Sequence, residues 1–304
     1  MITCTDAENR CRFRRLTRSR LIVTTLAGAL CAALLGACGS QSSAPAASTS
    51  TSSVAAACVT SKLPTHTKGV LTVATDSPAY PPYFESNKPS NGKGFESAVA
   101  YAIADKLGFT PSEVKWTVEP FDSSYAPGPK AFDFDINEIS ITPARAKEVD
   151  FSRPYYTNPQ AIIVATNSPY AHAHSLADLR HAKFGVQIGT TSLAAVTNEI
   201  KPSQQPYVFN TSNDVVSAFN IHRVDAIVVD LATAFYLTSS VLHHTVIAGQ
   251  FSAPGGDNWG VLLSKRSGLT VCVNRALGQL SADGTLVALS HHWIASAASV
   301  PVLH

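Results

Sequence analysis

The sequence predicts an α/β fold with largely parallel sheets, and three observations carry the prediction. Short runs rich in β-branched residues alternate with helix-like stretches from Gly69 to about residue 294. The polar residues Asp76, Arg145, Thr190, Thr191 and Asp230 all fall at carboxyl ends of predicted strands, where open α/β sheets bind ligands. The stretch 132–147 passes from strand through a polar turn into a helix start that carries Arg145.

In chain order, residues 69–75 form the first predicted strand, followed by Asp76. The loop with Pro78, Tyr80, Pro81, Pro82, Tyr83 and Phe84 is rigid and aromatic, so it is either a ligand wall or a packed surface loop. A helix runs from Gly94-Phe95-Glu96 to Leu107, with Val99, Ile103 and Leu107 on one face and Gly108 after it. Residues 114–118 form a strand, and Pro127-Gly128-Pro129 excludes a regular helix at 122–130. Phe132, Phe134 and Ile136 alternate with polar residues, which puts Asp133 and Asp135 on a solvated face. The apolar phase then moves to Ile139 and Ile141, so a bulge or turn must sit at Asn137-Glu138. Thr142-Pro143 suits a helix cap and first position, whose free N–H groups favour an anion. Arg145 within that turn can grip a carboxylate through two parallel hydrogen bonds. The spacing alone also fits an ordinary surface helix with a solvated Arg.

Further strands are predicted at 149–156, 161–165, 184–188, 207–209, 224–229, 245–248 and 259–263. Helices are predicted at 175–179, from Gly189-Thr190-Thr191-Ser192 to 200, and at 213–220, 231–237, 268–281 and 284–294.

The N-terminus lies outside this fold. Arg10, Arg12, Arg14, Arg15, Arg18 and Arg20 precede an apolar run from Leu21 to Leu35, the order of a secretory signal and too short for a comfortable membrane span. The run ends in Leu35-Gly36-Ala37-Cys38, which looks like a lipobox. Residues 1–37 read as a lipoprotein signal peptide, and the Cys38 thiol takes lipid, palmitate included. Cleavage at an Ala with Cys38 incidental is the alternative, and the long basic region leaves open a start downstream of Met1. Setting residues 1–37 aside leaves 17 basic and 19 acidic side chains, a net charge of about −2. No basic patch points to nucleic acid. Residues 38–65 read as the lipidated Cys and a flexible tether, uncharged and rich in Ser, Ala and Thr as far as Ala57. Cys4, Cys11 and Cys31 leave with the signal, so Cys58 and Cys272 remain. Outside the cytosol two cysteines suggest one disulfide, with two unpaired thiols as the alternative.

Several chemistries find no support. No Gly-x-Ser-x-Gly hydrolase elbow and no phosphate-binding Gly loop is present. The pairs His172/His174, His243/His244 and His291/His292 lack metal-ligand spacing with an acidic partner and read as solvated. No metal and no cofactor is expected.

Four motifs carry a resemblance. They are Leu71-Thr72-Val73-Ala74-Thr75-Asp76; residues 139–152, Ile-Ser-Ile-Thr-Pro-Ala-Arg-Ala-Lys-Glu-Val-Asp-Phe-Ser; residues 185–191, Gly-Val-Gln-Ile-Gly-Thr-Thr; and residues 224–230, Val-Asp-Ala-Ile-Val-Val-Asp. Their order over residues 66–295 resembles extracellular solute-binding protein family 3, the amino-acid-binding components of ABC importers. The resemblance implies a two-lobe periplasmic-binding-protein-like (type II) fold with two crossover strands. Lobe 1 is then 66–157 plus 253–304, lobe 2 is 158–252, and hinges fall near 156–161 and 250–256. It implies that Arg145 binds a ligand α-carboxylate, helped by Thr191, and that Asp230 binds the α-amino group, helped by Ser140. Asp76, Tyr80 and Phe121 line the side-chain pocket, and Thr142 and Thr190 complete the ligand-binding set. The sequence departs from the family at Asn137 and Glu138, where small residues are usual, and in its Pro-Gly-Pro loop.

The implied protein is no enzyme. It is expected as a monomer, lipid-anchored to the outer face of the cell membrane, handing an amino acid to an ABC permease. Glu138 and Asp76 disfavour an acidic ligand side chain and favour a basic or polar one, unless Glu138 pairs with a Lys such as Lys130. A periplasmic dehydratase on the same fold, with Glu138 as its acid, and a ligand-sensing partner of a membrane receptor are the rivals.

Overall fold

The computed structural model describes residues 58–253, 255–294 and 300–304. The segment read as a signal peptide, Cys38 and the expected tether as far as residue 57 lie outside the described residues.

Two five-stranded sheets form the two lobes. In lobe 1, β1 (Leu71–Thr75) lies between β2 (Val114–Val118) and β3 (Phe134–Asp135), both parallel to it, with Val73 beside Phe134. Next to β4 (Asp150–Thr157) the chain leaves for lobe 2, where β5 (Gln160–Ala165) is antiparallel to β8 (Ala226–Asp230). There β6 (Phe184–Gln187) lies between β7 (Tyr207–Phe209) and β8, parallel to both, and β9 (Thr245–Phe251) forms the far edge against β5. The chain returns as β10 (Asn258–Leu263), inserted antiparallel between β3 and β4. The crossovers are therefore residues 158–159 and 252–257. Each sheet is mixed rather than largely parallel: two of its four pairings are parallel, and two, made by the strands flanking the crossovers, are antiparallel.

Burial explains the sequence pattern. Ile162, Val164 and Val228 pack on one face of the lobe 2 sheet, and Ala161, Ile163 and Ile227 on the other. A sheet covered on both faces needs continuous apolar strands, which is what 161–165 and 226–229 supply. In lobe 1, α1 (Phe95–Lys106) buries Phe95, Val99 and Ile103. The short helices α2 (Phe121–Ser124), α4 (Thr191–Ala195), α5 (Ser212–Asn220) and α6 (Leu231–Tyr236) begin close to strand ends, while α3 (Arg145–Glu148) follows the turn after β3 and leads into β4. The chain closes with α7 (Thr270–Ala282) and α8 (Thr285–Trp293), both against α1.

Two segments differ from the sequence reading. Residues 58–65 are not tether: Cys58 and Leu63 are buried in the lobe 1 core, and Cys58 is bonded to Cys272 on α7. Residues 300–304 pack on lobe 2, although α8 ends on lobe 1. The Gln250 N–H donates to Pro301 O at 2.8 Å, and the Leu303 N–H donates to Gln250 O at 2.8 Å. Leu303 is 3% exposed and enters the lobe 2 core beside Gly249, where a Cβ would meet its Cγ at 2.4 Å. Leu303→Ala is expected to cost about 2 kcal/mol or more, as truncating a buried Leu does. Denaturant unfolding monitored by circular dichroism checks this; an unchanged midpoint would show that the contact adds nothing.

Candidate functional site

A cavity of about 720 Å³ lies between the lobes. Asp76, Tyr80, Phe121, Glu138 and Ser140 line it from lobe 1, and Thr190, Thr191 and Asp230 from lobe 2. Thr142 and Arg145, from the same sequence-derived set, are not in its lining. The Thr142 hydroxyl accepts the Arg145 N–H at 3.2 Å and its carbonyl accepts the Ala146 N–H at 2.9 Å, so it caps α3. Arg145 is 7% exposed. Its guanidinium donates to Ser140 O in lobe 1 at 2.7 Å and to Gly189 O in lobe 2 at 2.9 Å. It also stacks 4.5 Å from the Tyr125 ring centre and 5.3 Å from that of Phe121. Two of its five N–H groups serve those carbonyls. Gly189 is left-handed (φ +74°), and a Cβ there would meet the Tyr125 hydroxyl at 2.4 Å, so glycine permits this approach of the lobes.

Lobe 1 places its side chains through one close packing. Gly94 (φ +97°) leads into α1, and a Cβ there would lie 2.3 Å from Tyr83 O. The first N–H groups of α1 instead bond the carbonyls of Pro82 and Tyr83, which fixes the aromatic loop as a cavity wall. The Tyr80 hydroxyl donates to Asn213 Oδ1 of lobe 2 at 2.6 Å, and Tyr83 Oη lies 3.0 Å from Thr233 Oγ1. At the phase slip after β3, Glu138 is left-handed (φ +53°), a conformation uncommon for a non-glycine residue. Its N–H donates to a carboxylate oxygen of Glu96 at 2.6 Å, and its own Oε2 accepts from Thr233 at 3.4 Å.

Lobe 2 presents Thr190, whose hydroxyl caps α4 by accepting the Leu193 N–H at 3.2 Å while donating to Gln187 O at 2.8 Å. Thr191 Oγ1 lies 3.4 Å from Ser140 Oγ, across the lobes. Asp230 ends β8 and accepts from Gln160 Nε2 at 2.8 Å. The same amide nitrogen donates to buried Asp257 at 2.8 Å, and Asp257 accepts the Ser140 hydroxyl at 3.0 Å. Gln160 follows the first crossover and Asp257 ends the second, so one network ties both crossovers to Asp230 and Ser140.

The cavity is acidic. Asp76, Asp122, Glu138 and Asp230 line it, and among the described residues no Lys or Arg does. Burial pushes the carboxyls of Glu138 and Asp230 well above the usual range; Glu96 adds to the rise at Glu138, and Asp257 to that at Asp230. Burial also raises Asp76, against hydrogen bonds from the Ser77 and Phe121 backbone. Burial lowers the Arg145 guanidinium, with Tyr125, Asp257 and Asp230 opposing.

Lys130 does not pair with Glu138, since its ammonium bonds the carbonyls of Ser123 and Ala126. Asp133 and Asp135 are not on a solvated face either. Asp133 accepts the N–H groups of His66 and Thr72, and Asp135 is fully buried. Phe132, Ile139, Val149 and Leu262 cover that face of the sheet. The six histidines read as solvated are all exposed. Sequence reasoning missed Glu96, Gln160, Thr233 and Asp257. The signal for Glu96 was an acid directly after Gly94-Phe95 at a helix start; Asp257 stands in a Gly-Gly-Asp run before a strand.

Two lobes joined by two crossovers, with a polar cavity between them, define a binder of a small polar solute. The chain belongs to the bacterial extracellular solute-binding proteins, family 3, which it matches over residues 71–296. It is similar to the L-cystine-binding protein TcyJ of Escherichia coli K12, at 29% identity over 235 residues, 74% of this chain and 83% of that one. Among solved structures it is similar to an ancestral arginine-binding protein bound to glutamine (31% identity, TM-score 0.63, 75% of this chain and 99% of that one). It is also similar to the ancestral amino acid-binding protein AncCDT-1, a precursor of cyclohexadienyl dehydratase (30% identity, TM-score 0.61, 75% and 96%).

Proposed function

We propose that this protein captures a basic or polar amino acid outside the cytoplasm and delivers it to an ABC permease, held to the membrane by lipid on Cys38. The acidic, cation-free cavity lining carries the ligand reading. Asp230 takes the α-amino group with Ser140, and Asp76 and Glu138 face the side chain. Arg145, beside the cavity and spanning both lobes, takes the α-carboxylate with Thr191. The cystine-binding relative and the arginine-binding relative bound to glutamine support the same ligand class.

Calorimetric titration with Arg, Lys, Gln and Glu tests this reading. Arg, Lys or Gln is expected to bind at least about tenfold more tightly than Glu, a difference of about 1.4 kcal/mol. Glu138→Gln is expected to narrow the gap between Arg and Glu. Tight Glu binding by the wild type would sink the argument from charge.

One observation favours a second reading, a dehydratase-like enzyme: Glu138 is a protonatable acid in the cleft. Binding without chemistry predicts that arginine incubated with the protein is recovered unchanged.

A further inference from the structure

Glu96 stands in the first turn of α1 and is 0% exposed. Its Oε1 accepts two hydrogen bonds, one from the Glu138 N–H at 2.6 Å and one from the Tyr155 hydroxyl. Its Oε2 is buried with no hydrogen-bond partner. An ionised carboxylate with one oxygen dry and unpaired is unfavourable, and a proton on that oxygen relieves it. The two partners of Oε1 join two functional parts of the molecule. Glu138 holds a left-handed backbone with its side chain on the cavity. Tyr155 lies on β4, shortly before the first crossover.

We propose that Glu96 is a positioning residue of the ligand side-chain pocket: it fixes Glu138 in its left-handed conformation and gives up a proton when a cationic side chain reaches Glu138. This rests on the reading of the ligand as a basic amino acid. The proton leaves for solvent as the positive ligand charge enters, so the net charge of the site is conserved.

The charged and titratable groups around Glu96 agree with such an exchange. Glu138, Tyr83, Tyr155 and Asp135 interact with it from lobe 1 and Asp230 from lobe 2; none is a cation. Burial lifts its carboxyl to about 7, against the hydrogen bonds from Tyr155 and the Glu138 N–H. Below that pH free Glu96 carries its proton, so binding a cation there must expel it. Above that pH Glu96 is already ionised and supplies no proton, whatever Glu138 and Asp230, whose carboxyls burial also raises, release. Glu96 therefore makes affinity for a cationic ligand rise with pH up to about 7 and adds no further rise beyond it.

Calorimetry on the full chain, in two buffers of different ionisation enthalpy, counts the proton directly. With L-arginine at about pH 6, the wild type is expected to release roughly 0.5–1 proton more than Glu96→Gln, and the two should release alike at about pH 8.5. Affinity should fall by up to roughly tenfold per pH unit below 7. L-Citrulline, the same length without the side-chain charge, should show no such difference between wild type and Glu96→Gln. In Glu96→Gln the amide oxygen still accepts both hydrogen bonds, so arginine should bind with fewer protons released at about pH 6 and a shallower pH profile. In Glu96→Ala the preference for arginine over citrulline should drop about tenfold. Wild-type arginine binding at about pH 6 without proton release, or the same release from Glu96→Gln, overturns the proposal. Absence of arginine binding at either pH overturns the basic-ligand reading and this proposal with it.

Discussion

Arg145→Ala is expected to abolish amino-acid capture at ordinary ligand concentrations, weakening affinity by about 2–5 kcal/mol, roughly 30- to several-thousand-fold. The side chain does three things at once. It supplies the cation beside a cavity whose charged lining is entirely acidic. It joins the lobes by donating to Ser140 O and Gly189 O. It also stacks on Phe121 and Tyr125, and Phe121 forms part of the cavity wall. Truncation leaves the buried Ser140 carbonyl and the Gly189 carbonyl without their charged donor and a ligand carboxylate facing Asp230 with no balancing cation. Arg145→Lys separates charge from geometry. An ammonium keeps the charge but cannot span both carbonyls as a planar guanidinium does, so its affinity should fall between wild type and Arg145→Ala. Calorimetry, with circular dichroism to confirm folding, decides. A folded Arg145→Ala protein that binds within about threefold of wild type would remove Arg145 from the site.

Most of the strand pattern is legible in the sequence because each strand sits between sharp punctuation. Val114–Val118 and Tyr207–Phe209 fall where alternation and turn residues put them. The phase slip at Asn137-Glu138 is legible for the same reason: a period-two pattern cannot change face without an irregular residue, and Glu138 is that residue. Burial of polar residues was not legible. Asp133 and Asp135 alternate with apolar residues as a solvated face does, and only the packing of Phe132, Ile139 and Leu262 over them reveals a second covered face. Glu96 resembles an ordinary first-turn acid favoured by the helix dipole, until Tyr155, 59 residues on, closes over it. The link from Gln160 to Asp257 spans 97 residues, a separation that no local pattern encodes. Eight of the ten residues chosen as ligand-binding line the cavity, because carboxyl ends of strands converge in an α/β sheet whatever the side chains are. Arg145 and Thr142 lie just behind that lining, one joining the lobes and the other capping the turn that holds it.

Removing the Cys58–Cys272 bridge is expected to cost about 2–5 kcal/mol of stability while leaving ligand affinity nearly unchanged. The bond joins residues 214 apart in sequence, so in the chain-entropy model it restricts the unfolded chain about as strongly as one crosslink can. It also pins the first described residues to α7, with Cys58, Leu63 and Cys272 all inside the lobe 1 core. Cys58→Ala/Cys272→Ala keeps small apolar side chains at both positions, which limits the packing loss to about one sulfur each. The cavity is lined by residues from 76 onward, none of them on this segment, and that separation is why stability and binding should part. Urea unfolding of wild type, of the double variant and of reduced wild type measures the effect, which corresponds to a melting shift of roughly 5–15 °C for a protein of this size. Reduced wild type and the double variant should agree within about 1 kcal/mol. Equal midpoints for oxidised wild type and the double variant would show that the lobe 1 core already holds residues 58–65 without the bond. A large loss of arginine affinity in the folded double variant would show instead that this end of lobe 1 is coupled to the cleft.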